Sequence, residues 1–122
     1  MKRIILLLLF IPIIGISQVY QHSNKGEKIS HNYYSLSYSE NHEQAEWVYY
    51  VLNAEGLLGT TSRTNNFKTD NKVSSSSAHP NNYKHTGFDR GHLAPASDMK
   101  VSQTAMSESF FMSNISPQKP SF

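Results

Sequence analysis

The sequence has no cysteine among its 122 residues, which excludes disulfide bonds and thiol chemistry. Charge is sparse as well, with 16% of residues Asp, Glu, Lys or Arg. The sequence holds no internal repeat, no GxxxxGK[ST] phosphate loop and no HExxH zinc motif. His85 and His92 stand seven residues apart with no third clustered ligand, which argues against a zinc site. Only one long apolar run exists, at the N-terminus. The length allows at most one domain.

That run, in "MKRIILLLLFIPIIGISQ", has the parts of an export signal. Lys2 and Arg3 precede an apolar stretch from Ile4 to Ile16, and Gly15 and Ser17 are the small residues a signal peptidase favours. Residues 1–17 are expected to be a signal peptide, cleaved after Ser17, with a retained anchor as the competing reading. The run is short for a bilayer span and is interrupted by Pro12 and Gly15. The expected destination is the periplasm or the exterior, with no stable membrane association after cleavage. The remaining residues, 18–122, suffice for one modest core. Removing Lys2 and Arg3 from the eleven basic residues leaves nine against nine acidic ones, so the formal +2 disappears. The balance is uneven. Residues 18–60 carry two Lys and five Glu, whereas 61–122 carry seven Lys and Arg against four Asp and Glu. A mildly basic second half permits a polyanionic partner.

Residues 18–32 read as a polar lead-in. "YYSLSY" (33–38) alternates large and small residues and predicts a strand. "WVYYVLN" (47–53) is apolar on both faces and predicts a buried strand. "AEGLLGTTS" reads as a turn. Residues 63–87 are poor in aliphatics and include the Ser-rich "VSSSSAHPNN", a loop long enough to suggest that it serves a site or is mobile. After Pro95, Ser97 or Asp98 could cap a short helix with Met99, Met106 and Phe110 on one face. "FFMSNI" reads as a short strand ended by "SPQKP". The aromatic group Tyr33, Tyr34, Tyr38, Trp47, Tyr49 and Tyr50 could stack bases but reads more simply as strand packing.

The chemistry concentrates in "FDRGHLAPASDM" (88–99). His92 is the residue type whose ordinary pKa lies near neutrality, so it can accept a proton from water. Arg90 brings a permanent charge and a planar fork of donors that matches phosphate oxygens. Gly91 lets the backbone turn or be approached closely. A base, an anion clamp and a permissive glycine suit hydrolysis of a phosphodiester, although a metal to polarise the phosphate is missing from the set. The bland alternative is a solvated histidine beside a local Asp89–Arg90 ion pair.

"FDRGHLAPASDM" followed by "FFMSNISPQ" resembles the DNA/RNA non-specific endonuclease family, the ββα-metal nucleases. The Tyr-rich strand, the Trp47, Tyr50 and Leu52 pattern, and Arg63 ahead of Phe67, Thr69 and Asp70 extend the resemblance over about residues 31–122. It implies an α+β fold: a central antiparallel sheet carrying a ββα-metal finger. It implies that His92 is the general base, that Arg90 contacts phosphate, and that Arg63 matches an upstream phosphate-binding arginine. By the same resemblance Asp89 is an orienting or structural partner, and Asn114 sits on the second finger strand and holds the finger together. The cofactor implied is Mg2+, held by an asparagine on a helix that follows the Ser-Pro-Gln stretch. That helix and its asparagine would lie beyond Phe122, so the finger is expected to be incomplete, no metal ligand is assigned within the chain, and residues 18–122 are expected to be the N-terminal part of an endonuclease domain truncated at Phe122 and inactive or nearly so. The implied partners are DNA and RNA, bound through their phosphate backbones, and a homodimer is left open. A non-catalytic secreted module that binds nucleic acid or protein remains the alternative.

Overall fold

The computed structural model describes residues 25–122; the expected signal peptide, residues 1–17, lies outside the described residues. The fold is α+β. Strands β1 (Glu27–Ser30), β2 (Tyr34–Ser39) and β3 (Gln44–Tyr50) form an antiparallel sheet in the order β1-β2-β3. The alternation in "YSLSYS" aims Tyr34, Leu36 and Tyr38 at the core, where each is 3% exposed or less. They pack with Ile29, Val73, Ala94, Met99 and Ala105. Truncating Leu36 to alanine in such a setting costs about 2–5 kcal/mol. The buried phenols are satisfied: Tyr34 donates to the Glu108 carbonyl at 2.8 Å and Tyr38 to the Glu43 carboxylate at 3.0 Å.

Three expectations about the first half change. The lead-in contains β1. The aromatic run does not form a strand buried on both faces: β3 starts earlier, at Gln44, and is an edge of the three-stranded sheet. Val48 and Tyr50 pack against the core while Tyr49, between them, is 60% exposed. A run apolar at every position hides this alternation, because period 2 shows only when one face is polar. "AEGLL" is a short helix, α1 (Ala54–Leu58), begun by the Asn53 side chain accepting from the Gly56 N–H at 2.8 Å.

The second half carries a two-stranded antiparallel ribbon. Strand β4 (Asp89–His92) pairs with β5 (Ile115–Gln118) so that Asp89 faces Gln118 and His92 faces Ile115. Between them lies α2 (Gln103–Glu108). Its cap is Ser102, whose hydroxyl accepts from the Ala105 N–H at 3.1 Å, and not Ser97 or Asp98. Those two belong to a 3-10 turn, and the Asp98 carboxylate is already engaged by the Tyr50 hydroxyl at 2.8 Å. Met99, Met106 and Phe110 are all buried, as the periodicity predicts. "FFMSNI" is not a strand. Met112–Asn114 is a 3-10 turn and the strand is "ISPQ". Pro117 is tolerated there because a two-stranded ribbon leaves backbone positions without a ladder partner. The ribbon supplies the two strands of the expected finger, and β5 is the last element among the described residues.

The 63–87 stretch has neither α-helix nor ladder strand, yet it is anchored. A parallel bridge joins Lys68 to Phe111, with the Lys68 N–H donating to the Phe110 carbonyl at 3.1 Å and the Met112 N–H to the Lys68 carbonyl at 2.9 Å. Val73, Ala78 and Asp70 along it are buried.

Candidate active site

The ribbon and the anchored loop bring His92, Arg90 and Arg63 together. Side chains 90 and 92 project from the same face of β4, since strand residues two apart share a face. The bridge at Lys68 sets Phe67 opposite them. The His92 ring lies edge-on to Phe110, with centroids 4.7 Å apart and planes at 86°, and 5.6 Å from Phe67. Phe67 and Phe110 are themselves in edge contact at 4.9 Å. The two guanidiniums cover the outer faces of this aromatic pair. Arg90 sits 4.3 Å over Phe67 and Arg63 sits 4.8 Å over Phe110. Arg63 is further fixed by donating from Nε to the Asn65 side chain at 2.8 Å, with Asn65 in the left-handed region at φ 50°, which asparagine tolerates better than most residues. Among the described residues neither arginine has a carboxylate within ion-pair distance, so both charges remain available to an anion.

The surroundings decide the protonation of His92. Burial between phenyl rings pushes its pKa down and the Arg63 charge pushes it further, from the ordinary 6.5 to about 4. The imidazole is therefore neutral at pH 7. Its Nε2 is buried and bonded to nothing. Buried polar atoms are nearly always paired, which makes this nitrogen an exception within the site.

The other predicted residues have plain positions. Gly91 serves a close approach and not a turn. It is a strand residue whose open face is filled by the Gln118 side chain, in the space a Cβ would take. Asp89 is exposed, and its carboxylate makes no hydrogen bond or ion pair among the described residues. Asn114 lies in the turn before β5, not on the strand, and is fully buried. It accepts from the Ala94 N–H at 2.8 Å and donates to the carbonyls of Ala94 at 3.0 Å and Ser109 at 2.9 Å. Its backbone carbonyl accepts from the Leu93 N–H at 2.9 Å. It thus locks the end of β4 to the end of α2, two residues from His92.

Two parts of the site were not predicted. Phe67 and Phe110 appear in the motifs only as spacing markers and helix-face residues, yet they form the walls of the histidine pocket. The second is a buried polar cluster behind it. Asp70 accepts from the His31 ring at 2.8 Å, from the Ser113 hydroxyl at 2.6 Å and from the Lys72 N–H at 3.0 Å. Burial pushes the Asp70 carboxyl up, but these hydrogen bonds and the His31 charge outweigh it and hold the pKa below the ordinary carboxylate value. The His31 ring also stacks on Phe111 at 4.8 Å. The sequence signal was Asp70 in the Phe-x-Thr-Asp stretch, which names no partner.

The donors around His92 do not fit a divalent cation. They are two guanidiniums and two phenyl rings, and among the described residues no group of three or more His, Asp or Glu could hold a metal ion.

The sheet and the ribbon define an α+β fold that carries a cationic pocket around a histidine. Residues 15–122 match the family described as DNA/RNA non-specific endonuclease, and the chain belongs to that family, one of metal-dependent nucleases. It is 42% identical over 85 residues to the mitochondrial nuclease EXOG of Danio rerio, covering 68% of this chain and 25% of that protein. It is 40% identical over 89 residues to mitochondrial endonuclease G of Bos taurus, covering 71% and 30%. The nuclease of a Nostoc strain is 35% identical over 91 residues, covering 73% and 33%. Among solved structures, a crystal structure of the EndoG/EndoGI complex aligns with a TM-score of 0.68 and 31% identity, over 76% of this chain and 40% of that one. The chain thus spans about a quarter to a third of the curated relatives it matches.

Proposed function

We propose that the protein containing this chain hydrolyses phosphodiester bonds of DNA and RNA without sequence preference, with His92 as the general base. The observation that carries this reading is a neutral, half-buried imidazole with a buried, unpaired nitrogen, set between two guanidiniums that have no carboxylate partner among the described residues. A base must be unprotonated at working pH to accept a proton from the attacking water. Arg63 and Arg90 hold the phosphate and stabilise the charge that develops on its oxygens. Contacts to phosphate carry no sequence information, which accounts for the absence of sequence preference. Asn114 keeps His92 in place. Mg2+ belongs to the proposal through the family; residues 25–122 supply no site for it, and its ligand is expected beyond Phe122. Residues 18–122 are proposed to be the N-terminal part of the endonuclease domain and to have little activity alone. Export through residues 1–17, with cleavage after Ser17, would place the enzyme in the periplasm or outside the cell, and a homodimer is compatible with the reading.

The test is nicking of plasmid DNA and degradation of RNA by the full-length protein, with Mg2+ and with EDTA. His92→Ala should lower the rate on both polymers about 100-fold or more with an unchanged circular dichroism spectrum. Full activity in that variant overturns the role of His92. Nucleic-acid binding that is indifferent to EDTA, with no cleavage under any condition, would instead favour a non-catalytic binding module.

A further inference from the structure

Beside the pocket lies a second cleft, of about 280 Å³, lined by Phe67, Tyr83, Lys84, Phe88, Asp89 and Arg90. Phe88 immediately precedes β4, two residues before Arg90, and both side chains line the cleft; two residues of extended chain span about 7 Å. The Phe88 ring is 45% exposed, although apolar aromatic rings bury readily. It is nevertheless held. The Thr86 hydroxyl donates to the Tyr83 carbonyl at 2.9 Å and accepts from the Phe88 N–H at 3.2 Å. The tight turn this closes needs left-handed backbone at His85 and at Gly87, where φ is 60° and 82°. Tyr83 at its base is fixed by the Gln44 amide at 3.1 Å and by the Ile115 carbonyl at 3.4 Å. A rigid turn thus presents a flat apolar ring to solvent next to a phosphate-binding arginine. Lys84 and Arg90 outnumber the Asp89 carboxylate around it, leaving the cleft positive.

We infer that this cleft binds one unstacked nucleobase of the strand being cut, stacked on Phe88, while Arg90 holds the neighbouring phosphate. The inference rests on the nuclease reading and adds a base contact to it. A flat apolar surface adjoining an anion clamp matches a nucleotide, whose base is a π-face and whose phosphate is charged. Stacking is indifferent to base identity because every base has such a face, so the contact does not conflict with cutting any sequence. It does favour strands whose bases are free to swing out over those locked in a duplex.

The experiment measures fluorescence anisotropy of two labelled 12-mers with equal phosphate counts, one of thymidine and one wholly abasic, titrated with the full chain in EDTA. The thymidine strand should bind about tenfold tighter. Phe88→Leu, which keeps an apolar side chain at a half-exposed position but loses the flat ring, should remove most of that difference, and Phe88→Trp should preserve it. Equal affinity of the wild-type chain for the two strands overturns the stacking contact and leaves the phosphate reading standing. A difference that survives in Phe88→Leu also overturns it. Absence of salt-sensitive binding to either strand overturns both readings.

Discussion

At the scale of single residues, His92 ties chemistry to stability. Its folded pKa, about 4, lies below its ordinary 6.5. The unfolded chain therefore takes up a proton at higher pH than the folded one. The stability that His92 contributes is complete above pH 6.5 and is lost as pH falls towards 4. The thermal midpoint should decline through that window, and His92→Leu should flatten the decline, as read by calorimetry at half-unit pH steps. Asp70, held below its ordinary 3.8 by its hydrogen bonds, adds loss only at still lower pH, so a second decline should survive in His92→Leu. His92 and Arg90, though not Arg63, were legible as candidates because Asp89-Arg90-Gly91-His92 is contiguous and its residue types have distinctive chemistry. Phe67 and Phe110 were not, because a phenylalanine that walls a pocket looks in sequence like one that fills a core. The aromatic group in the first half is mixed: Tyr34 and Tyr38 are core, while Tyr49 faces out.

At the scale of elements, the ribbon depends on a side chain outside it. Asn114 makes three side-chain hydrogen bonds while fully buried. Asn114→Ala leaves the Ala94 N–H and two carbonyls without partners, each a loss on the order of 1 kcal/mol or more. The variant should unfold about 2–4 kcal/mol more easily in urea, with an unchanged m-value. The resemblance put Asn114 on a strand, whereas it lies in the 3-10 turn before β5. The pattern "FFMSNI" is rich in residues that favour strands, and the 3-10 turn there is chosen by the tertiary bonds of Asn114, which no local propensity reports. The misplaced helix cap has a similar origin: Ser97, Asp98 and Ser102 can all cap, but Ser97 donates to Asp98 at 3.0 Å and Asp98 accepts from Tyr50 at 2.8 Å, which leaves Ser102. Strand β2 was legible within one residue because its alternation is unambiguous, and β3 was not because its apolar run conceals which face is buried.

At the scale of the whole molecule, the sheet and the ribbon are joined through polar groups. Asp70 bonds His31 at the end of β1 and Ser113 just before β5, and Glu108 at the end of α2 bonds the Asn32 side chain at 2.7 Å. Removing the central carboxylate should be far more damaging than removing a surface charge. Asp70→Ala should destabilise by about 3–5 kcal/mol, because it strands buried His31 and Ser113 together, and chemical denaturation would measure it. None of these pairings could be read from the sequence, since the partners are 39 to 76 residues apart.

That separation bears on time as well as on strength. The candidate active site draws on a histidine and an arginine in the ribbon, on Arg63 well before it in the chain, and on a carboxylate cluster that reaches back to the first strand. Contacts so distant along the chain are slow to close, and folding should take milliseconds to seconds, as for other proteins dominated by non-local pairing; stopped-flow fluorescence of Trp47 would time it. Closing the Asp70 cluster would therefore be a late step of folding, after β1 and β2 have paired through contacts much nearer in sequence.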